Sequence, residues 1–243
     1  MRHDLKMAKK KRTRKTARSR SAPEVEQSRG NGIKRKRKPS SSRWLERQAK
    51  DIYVRAAQRE GYRSRAAYKL IELDDKFHIL KPGQRVIDLG AAPGGWTQVA
   101  VSRVRAETPR GGRVLAVDLK PLDPIRGAHI LEENILEEKA VDQINAILEG
   151  QADVVLSDMA SPSTGHRKTD ALRVMTLCEV ALDFSTSVLS PGGCLVVKVL
   201  KVGAEIDLVN RLKQEFTRVR YAKPPSSRSD SSESYIVATG FKG

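Results

Sequence analysis

The chain has 243 residues, enough for one substantial domain with its own core, and a formal net charge of +17. Residues 1–43 hold 17 Lys/Arg against 3 Asp/Glu, so nearly all of the excess charge belongs to that segment. No stretch approaches the ~18 consecutive apolar residues of a membrane span, and no apolar segment follows the basic start, so no secretory signal is expected.

Residues 1–42 are rich in Lys, Arg and Ser and poor in apolar residues. Such a segment cannot bury enough surface to fold alone, and a disordered basic tail is expected. Its runs KKKRTRK (9–15) and KRKRK (34–38) read as an electrostatic arm for a polyanion, most simply nucleic acid. A targeting address competes, weakened by the lack of an apolar face for an amphipathic helix.

Residues 43–243 read as the folded domain. Trp44, Ala49, Ile52, Tyr53 and Ala56 recur at helical spacing up to about Gly61, with Arg47, Lys50, Arg55 and Arg59 on the same helix. A second helix is predicted through SRAAYKLIELDDKF (64–77), and Lys81-Pro82-Gly83 ends it. Together with Arg63 and Arg65, the basic residues of this region read as a phosphate-binding face, or more plainly as a solvated surface. Strands are then predicted at 85–90, 113–119, 128–131, 152–159 and 194–200, alternating with helices near 95–105, 136–148, 169–189 and 204–216. RVRYA (218–222) and SYIVATG (234–240) close the chain as a hairpin. The alternation predicts an α/β fold, a mostly parallel seven-stranded sheet with helices on both faces. Such sheets bind ligands at the carboxyl ends of their strands.

The first strand ends in DLGAAPGGW, Asp88 to Trp96. Glycines there let a backbone approach a ligand closely and open the next helix. Ala92 breaks the G-x-G-x-x-G pattern of dinucleotide enzymes, and no Lys-Ser/Thr pair makes a phosphate-cradling loop. The second strand ends in Asp118, able to accept both hydroxyls of a ribose. Loop and acid together point to an adenosine-containing cofactor. The fourth strand ends in Ser157-Asp158-Met159-Ala160, and the fifth, CLVVKVL, carries Lys198 among apolar residues. A buried ammonium is costly unless paired. Adjacent parallel strands would bring Asp158 within its reach, either as a structural ion pair or as part of a site. Cys178 and Cys194 lie in apolar patterns and read as buried thiols of a reducing compartment. No metal-ligand cluster is apparent among the histidines and cysteines, so no metal is expected.

VIDLGAAPGGWTQV, AVDL, VLSDMA, VVKV and SYIVATG, in that order, resemble the motifs of the FtsJ/RrmJ ribose methyltransferases, and RSRAAYKL (63–70) and SSRWL (41–45) resemble segments that precede them. The resemblance covers about residues 41–243. It implies a Rossmann-like methyltransferase domain using S-adenosylmethionine, a ribose 2′-hydroxyl of RNA as acceptor, and a uridine of 23S ribosomal RNA in the large subunit as the closest match among substrates; transfer RNA and capped messenger RNA serve other members. It also implies a monomer working in the cytoplasm. The family's Lys-Asp-Lys-Glu catalytic tetrad falls on Lys69, Asp158, Lys198 and Glu233. Its cofactor contacts fall on Gly94, Trp96 (through the main-chain N–H), Asp118 and Asp158, with Asn134 where an aspartate is usual. An asparagine both donates and accepts, so adenine contact is expected to survive. The loop SPSTGH after Met159-Ala160 also departs from the family's Pro-Asn continuation.

Within that resemblance, Lys198 could take the hydroxyl proton as a neutral amine or stabilise developing negative charge as a cation. Three other functions would require different residues. A base N-methyltransferase would carry Asn/Asp-Pro-Pro-Tyr/Phe where this chain has SDMA. A non-catalytic RNA-binding module would have lost tetrad residues. A nicotinamide oxidoreductase would need a proton-transfer arrangement that is not apparent.

Overall fold

The computed structural model describes residues 51–137, 139–200 and 205–243. The basic tail and the beginning of the first predicted helix, with Trp44, Arg47 and Lys50, lie outside the described residues. That helix is seen as α1, Ile52–Glu60. Asp51 caps it by accepting from the Tyr53 N–H at 3.0 Å, and Gly61 ends it at φ +77°. Helix α2 (Ala67–Phe77) follows, then β1 (Arg85–Leu89), α3 (Gly95–Val104), β2 (Arg113–Asp118), β3 (Ala128–Glu132), α4 (Ala140–Leu148), β4 (Ala152–Ser157) and α5 (Arg167–Val188). Strand β5 (Leu189–Leu200), α6 (Ile206–Glu215), β6 (Phe216–Ala222) and β7 (Glu233–Phe241) complete the fold.

The seven strands form one sheet in the order β3-β2-β1-β4-β5-β7-β6. It is a mixed sheet, which corrects the expectation of a mostly parallel one. Strands β3, β2, β1, β4 and β5 pair in parallel, but β7 pairs antiparallel to both β5 and β6. The connection explains the reversal. Residues 223–232 between β6 and β7 are too few for a parallel crossover, which takes about a dozen or more. The chain must double back, and β7 fills the gap between β5 and β6. Strand β5 is also longer than its apolar run. It begins directly after α5, and its register against β4 shifts around Pro191-Gly192-Gly193, where Gly192 takes φ +86°.

Both faces of the sheet are covered, as alternation along the strands requires. Ile87, Leu115, Leu195, Val197 and Val199 point into one core with Ile144, Cys178, Leu182 and Leu212 of α4, α5 and α6. Val86, Val114, Val154, Val196 and Tyr235 point into the other, with Leu70, Leu73, Trp96 and Val99 of α2 and α3. Lys198, two residues beyond Val196, belongs to this second face. The strand order reverses between β1 and β4, so the crevice at their carboxyl ends is the place where such a fold takes a ligand.

Candidate active site

At that crevice the turn after β1 and the turn after β4 touch. Gly90 takes φ +73°, and a Cβ on it would lie 2.7 Å from Met159 Cγ and 3.0 Å from Met159 Cα. Only glycine allows this approach. Gly94 caps α3 at φ +109°, and a Cβ there would meet Ile125 Cδ1 at 2.6 Å. The first N–H groups of α3, including that of Trp96, have no partner within the helix, which suits an electron-rich ligand. Asp118, at the end of β2, accepts from the Ala92 N–H and the Lys120 N–H, both at 2.8 Å, one on each oxygen. Each oxygen keeps a further acceptor site. Asn134 is half-buried just beyond β3, and its Oδ1 accepts from the Leu136 N–H at 3.1 Å. The Trp96 ring is not a wall of the crevice. It is 3% exposed, and its indole N–H donates to the Ala66 carbonyl at 2.8 Å, tying α3 to α2.

The four residues matched to a catalytic tetrad come together as two ion pairs. Lys198 Nζ lies 3.1 Å from Asp158 Oδ1 and donates to the Asp158 carbonyl oxygen at 2.7 Å. Its side chain is 5% exposed. Lys69, from the first turn of α2, lies 3.3 Å from Glu233 Oε2 at the start of β7. From the other face of the sheet, the Cys178 thiol donates to the Lys198 carbonyl at 2.9 Å, and burial pushes that thiol up to about 12.

Two residues outside the sequence-derived set complete this arrangement. Tyr235 stands opposite Lys198 in the β5–β7 register and is fully buried. Its hydroxyl donates to Asp158 Oδ1 at 2.8 Å, its ring packs on Trp96 at 5.6 Å, and Lys69 Nζ sits 5.6 Å from its ring centre. Tyr235 therefore links the two ion pairs. Burial, then the neighbouring Asp158 and Glu233 charges, hold its phenol well above the ordinary value. A tyrosine two positions from Glu233 in an apolar strand was its only signal. Asp88, 1% exposed at the end of β1, accepts from the Thr97 hydroxyl at 2.6 Å. Burial pushes its carboxyl up to about 7, opposed by Thr97 and aided by the Asp158 and Asp118 charges.

The basic residues before Lys69 are engaged rather than free. Arg63 donates to the Asp123 and Pro124 carbonyls, both at 2.7 Å. Arg65 pairs with Asp51 at 2.6 Å and donates to the Ser226 carbonyl. Both hold loops in place, which narrows the phosphate-binding face expected of them. A cavity of about 440 Å³ opens beside Lys69 and Glu233. A larger one, about 610 Å³ between α3 and residues 124–126, is lined by none of the four tetrad residues.

The family of FtsJ-like methyltransferases matches residues 62–241. The chain belongs to the FtsJ-like methyltransferase family. Ribosomal RNA large subunit methyltransferase E of Parvibaculum lavamentivorans is 57% identical over 215 residues, 86% of this chain and 85% of that protein. Its namesake from Paramagnetospirillum magneticum is 57% identical over 210 residues, 86% of each. A ribosomal RNA methyltransferase structure from Plasmodium falciparum superposes with a TM-score of 0.66 at 32% identity, covering 75% of this chain and all of that one. The mixed seven-stranded sheet is thus the frame of an FtsJ-like methyltransferase.

Proposed function

We propose that this chain transfers a methyl group from S-adenosylmethionine to a ribose 2′-hydroxyl of 23S ribosomal RNA, at a uridine of the large subunit. The observation that carries the reading is the buried Lys198–Asp158 pair, joined through Tyr235 to Lys69–Glu233, at the switch point of the sheet. The chemistry of the residues beside it suits an adenosine-containing cation. Gly90 and Gly94 let the turn after β1 pack closely on Met159 and Ile125, Asp118 keeps acceptor sites, and Asp88, Asp118 and Asp158 together favour a cation. Gly94 and Trp96 would hold it by the main chain, Asp118 by ribose hydroxyls, Asn134 at the adenine, and Asp158 at the methionine end. When bound, S-adenosylmethionine supplies an electrophilic methyl carbon.

The protein's part is to hold the acceptor hydroxyl in line and either remove its proton or stabilise the negative charge that develops on its oxygen. Lys198 has two acceptors from Asp158. A neutral amine in that position keeps a lone pair for the proton, and an ammonium keeps one N–H for the oxygen. Asp158 aims Lys198, and Tyr235 aims Asp158. Glu233 fixes Lys69 at the mouth of the site, where its charge faces the incoming polyanion. A monomer working in the cytoplasm suits that role.

Incubation with radiolabelled S-adenosylmethionine and either large ribosomal subunits or naked ribosomal RNA, followed by mapping of the labelled nucleotide, tests the proposal. Label on a ribose 2′-oxygen is expected. Label on a base, or none, would sink it.

A further inference from the structure

Arg63 stands between α1 and α2 on a fixed base. Its main-chain N–H donates to Gln98 Oε1 of α3 at 2.8 Å, and Gln98 Nε2 donates to the Gly61 carbonyl at 2.9 Å. From there the guanidinium reaches main-chain carbonyls of two separate segments. Nη2 donates to Pro124 at 2.7 Å, and Nη1 donates to Asp123 at 2.7 Å and, more weakly, to Pro93 at 3.4 Å. Asp123 and Pro124 belong to the loop between β2 and β3, residues 119–127; Pro93 belongs to the turn after β1. Ile125 of the same loop is buried beneath this contact. A Cβ on Gly94 would lie 2.6 Å from Ile125 Cδ1 and 3.2 Å from both Arg63 Cδ and Arg63 Nη1, so the turn, the loop and the arginine close without room for a side chain.

The loop is therefore stapled to the turn twice. At its start Asp118 accepts from the Ala92 N–H and the Lys120 N–H. Further along, Arg63 takes hold of residues 123 and 124. Little else anchors the stretch between: of residues 119–124 only Leu122 is even half-buried, and a segment with so few apolar contacts opens easily. Charge-assisted bonds from a planar fork to two successive carbonyls suit such a fastening, because each is stronger than a neutral bond and the pair fixes direction. The same turn and loop carry Gly94, Trp96 and Asp118 at their edges, the groups proposed above to hold the cofactor. A site that is assembled only part of the time binds more weakly by that fraction.

We propose that Arg63 is a positioning residue for the cofactor: it latches the loop after β2 onto the turn after β1 and keeps the adenosine side of the site assembled before anything binds. The inference rests on the S-adenosylmethionine reading above. Arg63→Ala and Arg63→Lys are compared with the wild type by calorimetric titration with S-adenosylmethionine and with S-adenosylhomocysteine, and by hydrogen exchange of the free protein. For Arg63→Ala both dissociation constants should rise by the same factor, roughly tenfold to a hundredfold, because the latch acts on the half that the two compounds share. Exchange within residues 119–127 should quicken while the β-strands keep their protection. At saturating cofactor, kcat and the KM for large subunits should stay within about threefold of wild type. Arg63→Lys should recover only part of the affinity, since an ammonium cannot lay a planar fork across two carbonyls. Unchanged dissociation constants would overturn the inference. So would a raised KM for the subunit with a flatter salt dependence, the mark of a phosphate contact, or a lowered melting temperature with faster exchange throughout the sheet, the mark of a general structural role. Wild-type protein that binds S-adenosylmethionine but labels no ribose would sink the proposed function and leave the latch standing; wild-type protein that binds neither compound would sink both.

Discussion

Lys198 was anomalous from the outset, a cation in an apolar strand. The Asp158 carboxylate and carbonyl, at 3.1 and 2.7 Å, account for its burial. Removing one partner of such a pair leaves an uncompensated charge, and the pair adds little to stability by itself. Lys198→Ala should therefore lower stability as well as activity, the latter roughly 10²–10⁴-fold in kcat per folded molecule. Lys198→Arg decides how the lysine acts, because an arginine cannot give up its proton; substantial activity in a pH–rate profile would exclude an obligatory base. Tyr235→Phe deletes only the donor to Asp158 Oδ1. It should lower stability by about 1–3 kcal/mol and lower kcat more than it raises the KM for RNA, as steady-state kinetics and urea unfolding can measure. Asp88 gives a pH signature. Its folded-state carboxyl, near 7, lies above the unfolded value near 3.8. Its protonated form is thus favoured by folding, and the stability it contributes is present below about pH 4 and lost as pH rises through 7. The effect is a few kcal/mol at most, at roughly 1.4 kcal/mol per pKa unit. Urea unfolding at pH 5 and pH 8 should show a smaller loss for Asp88→Asn than for the wild type; equal losses would mean Asp88 is not the group responsible.

At the scale of elements, the site depends on two turns that touch and one hairpin. The turn after β1 can lie on the turn after β4 only because Gly90 has no Cβ and takes a positive φ. Gly90→Ala meets both the Met159 side chain and its main chain. It should destabilise the fold by roughly 1–3 kcal/mol and weaken S-adenosylmethionine binding, read by thermal melting and calorimetric titration. The loop after Met159 is a separately ordered unit. Asp170 accepts from the Ser163 hydroxyl, from the Thr164 hydroxyl and N–H, and from the Gly165 N–H, and these bonds hold its carboxyl down to about 2. Ser163, Thr164 and Asp170 thus turn a stretch that departs from the family pattern into a fixed turn ahead of α5. The hairpin sets the other half of the site. The β5–β7 register puts Tyr235 opposite Lys198 and Glu233 opposite Leu200, so β7 delivers a link and a carboxylate to one strand end.

For the whole molecule, charge separates into a basic tail and a nearly balanced domain. Among the described residues, no helix is long and apolar enough to cross a membrane. The tail's density of Lys and Arg predicts counterion release on RNA. Deleting residues 1–40 should weaken RNA binding and flatten its salt dependence while leaving cofactor affinity unchanged. An unchanged slope in a filter-binding series would mean that the tail is no RNA arm.

The amino-acid sequence by itself determined the order and type of nearly every element, since periods of 2 and 3.6 are local properties of the chain. It also determined that Asp158 and Lys198 would meet, because adjacent parallel strands align their carboxyl ends. The mixed character of the sheet, the place of Tyr235 between two ion pairs, the inward turn of Trp96 and the attachment of Arg65 to Asp51 were decided by tertiary structure alone. Each depends on register or on side-chain direction between segments far apart in the chain, which no local pattern encodes. Arg65 and Arg228 illustrate the reason. They stand 163 positions apart in the sequence and share one carboxylate, Asp51, because a hairpin folds back over a helix cap.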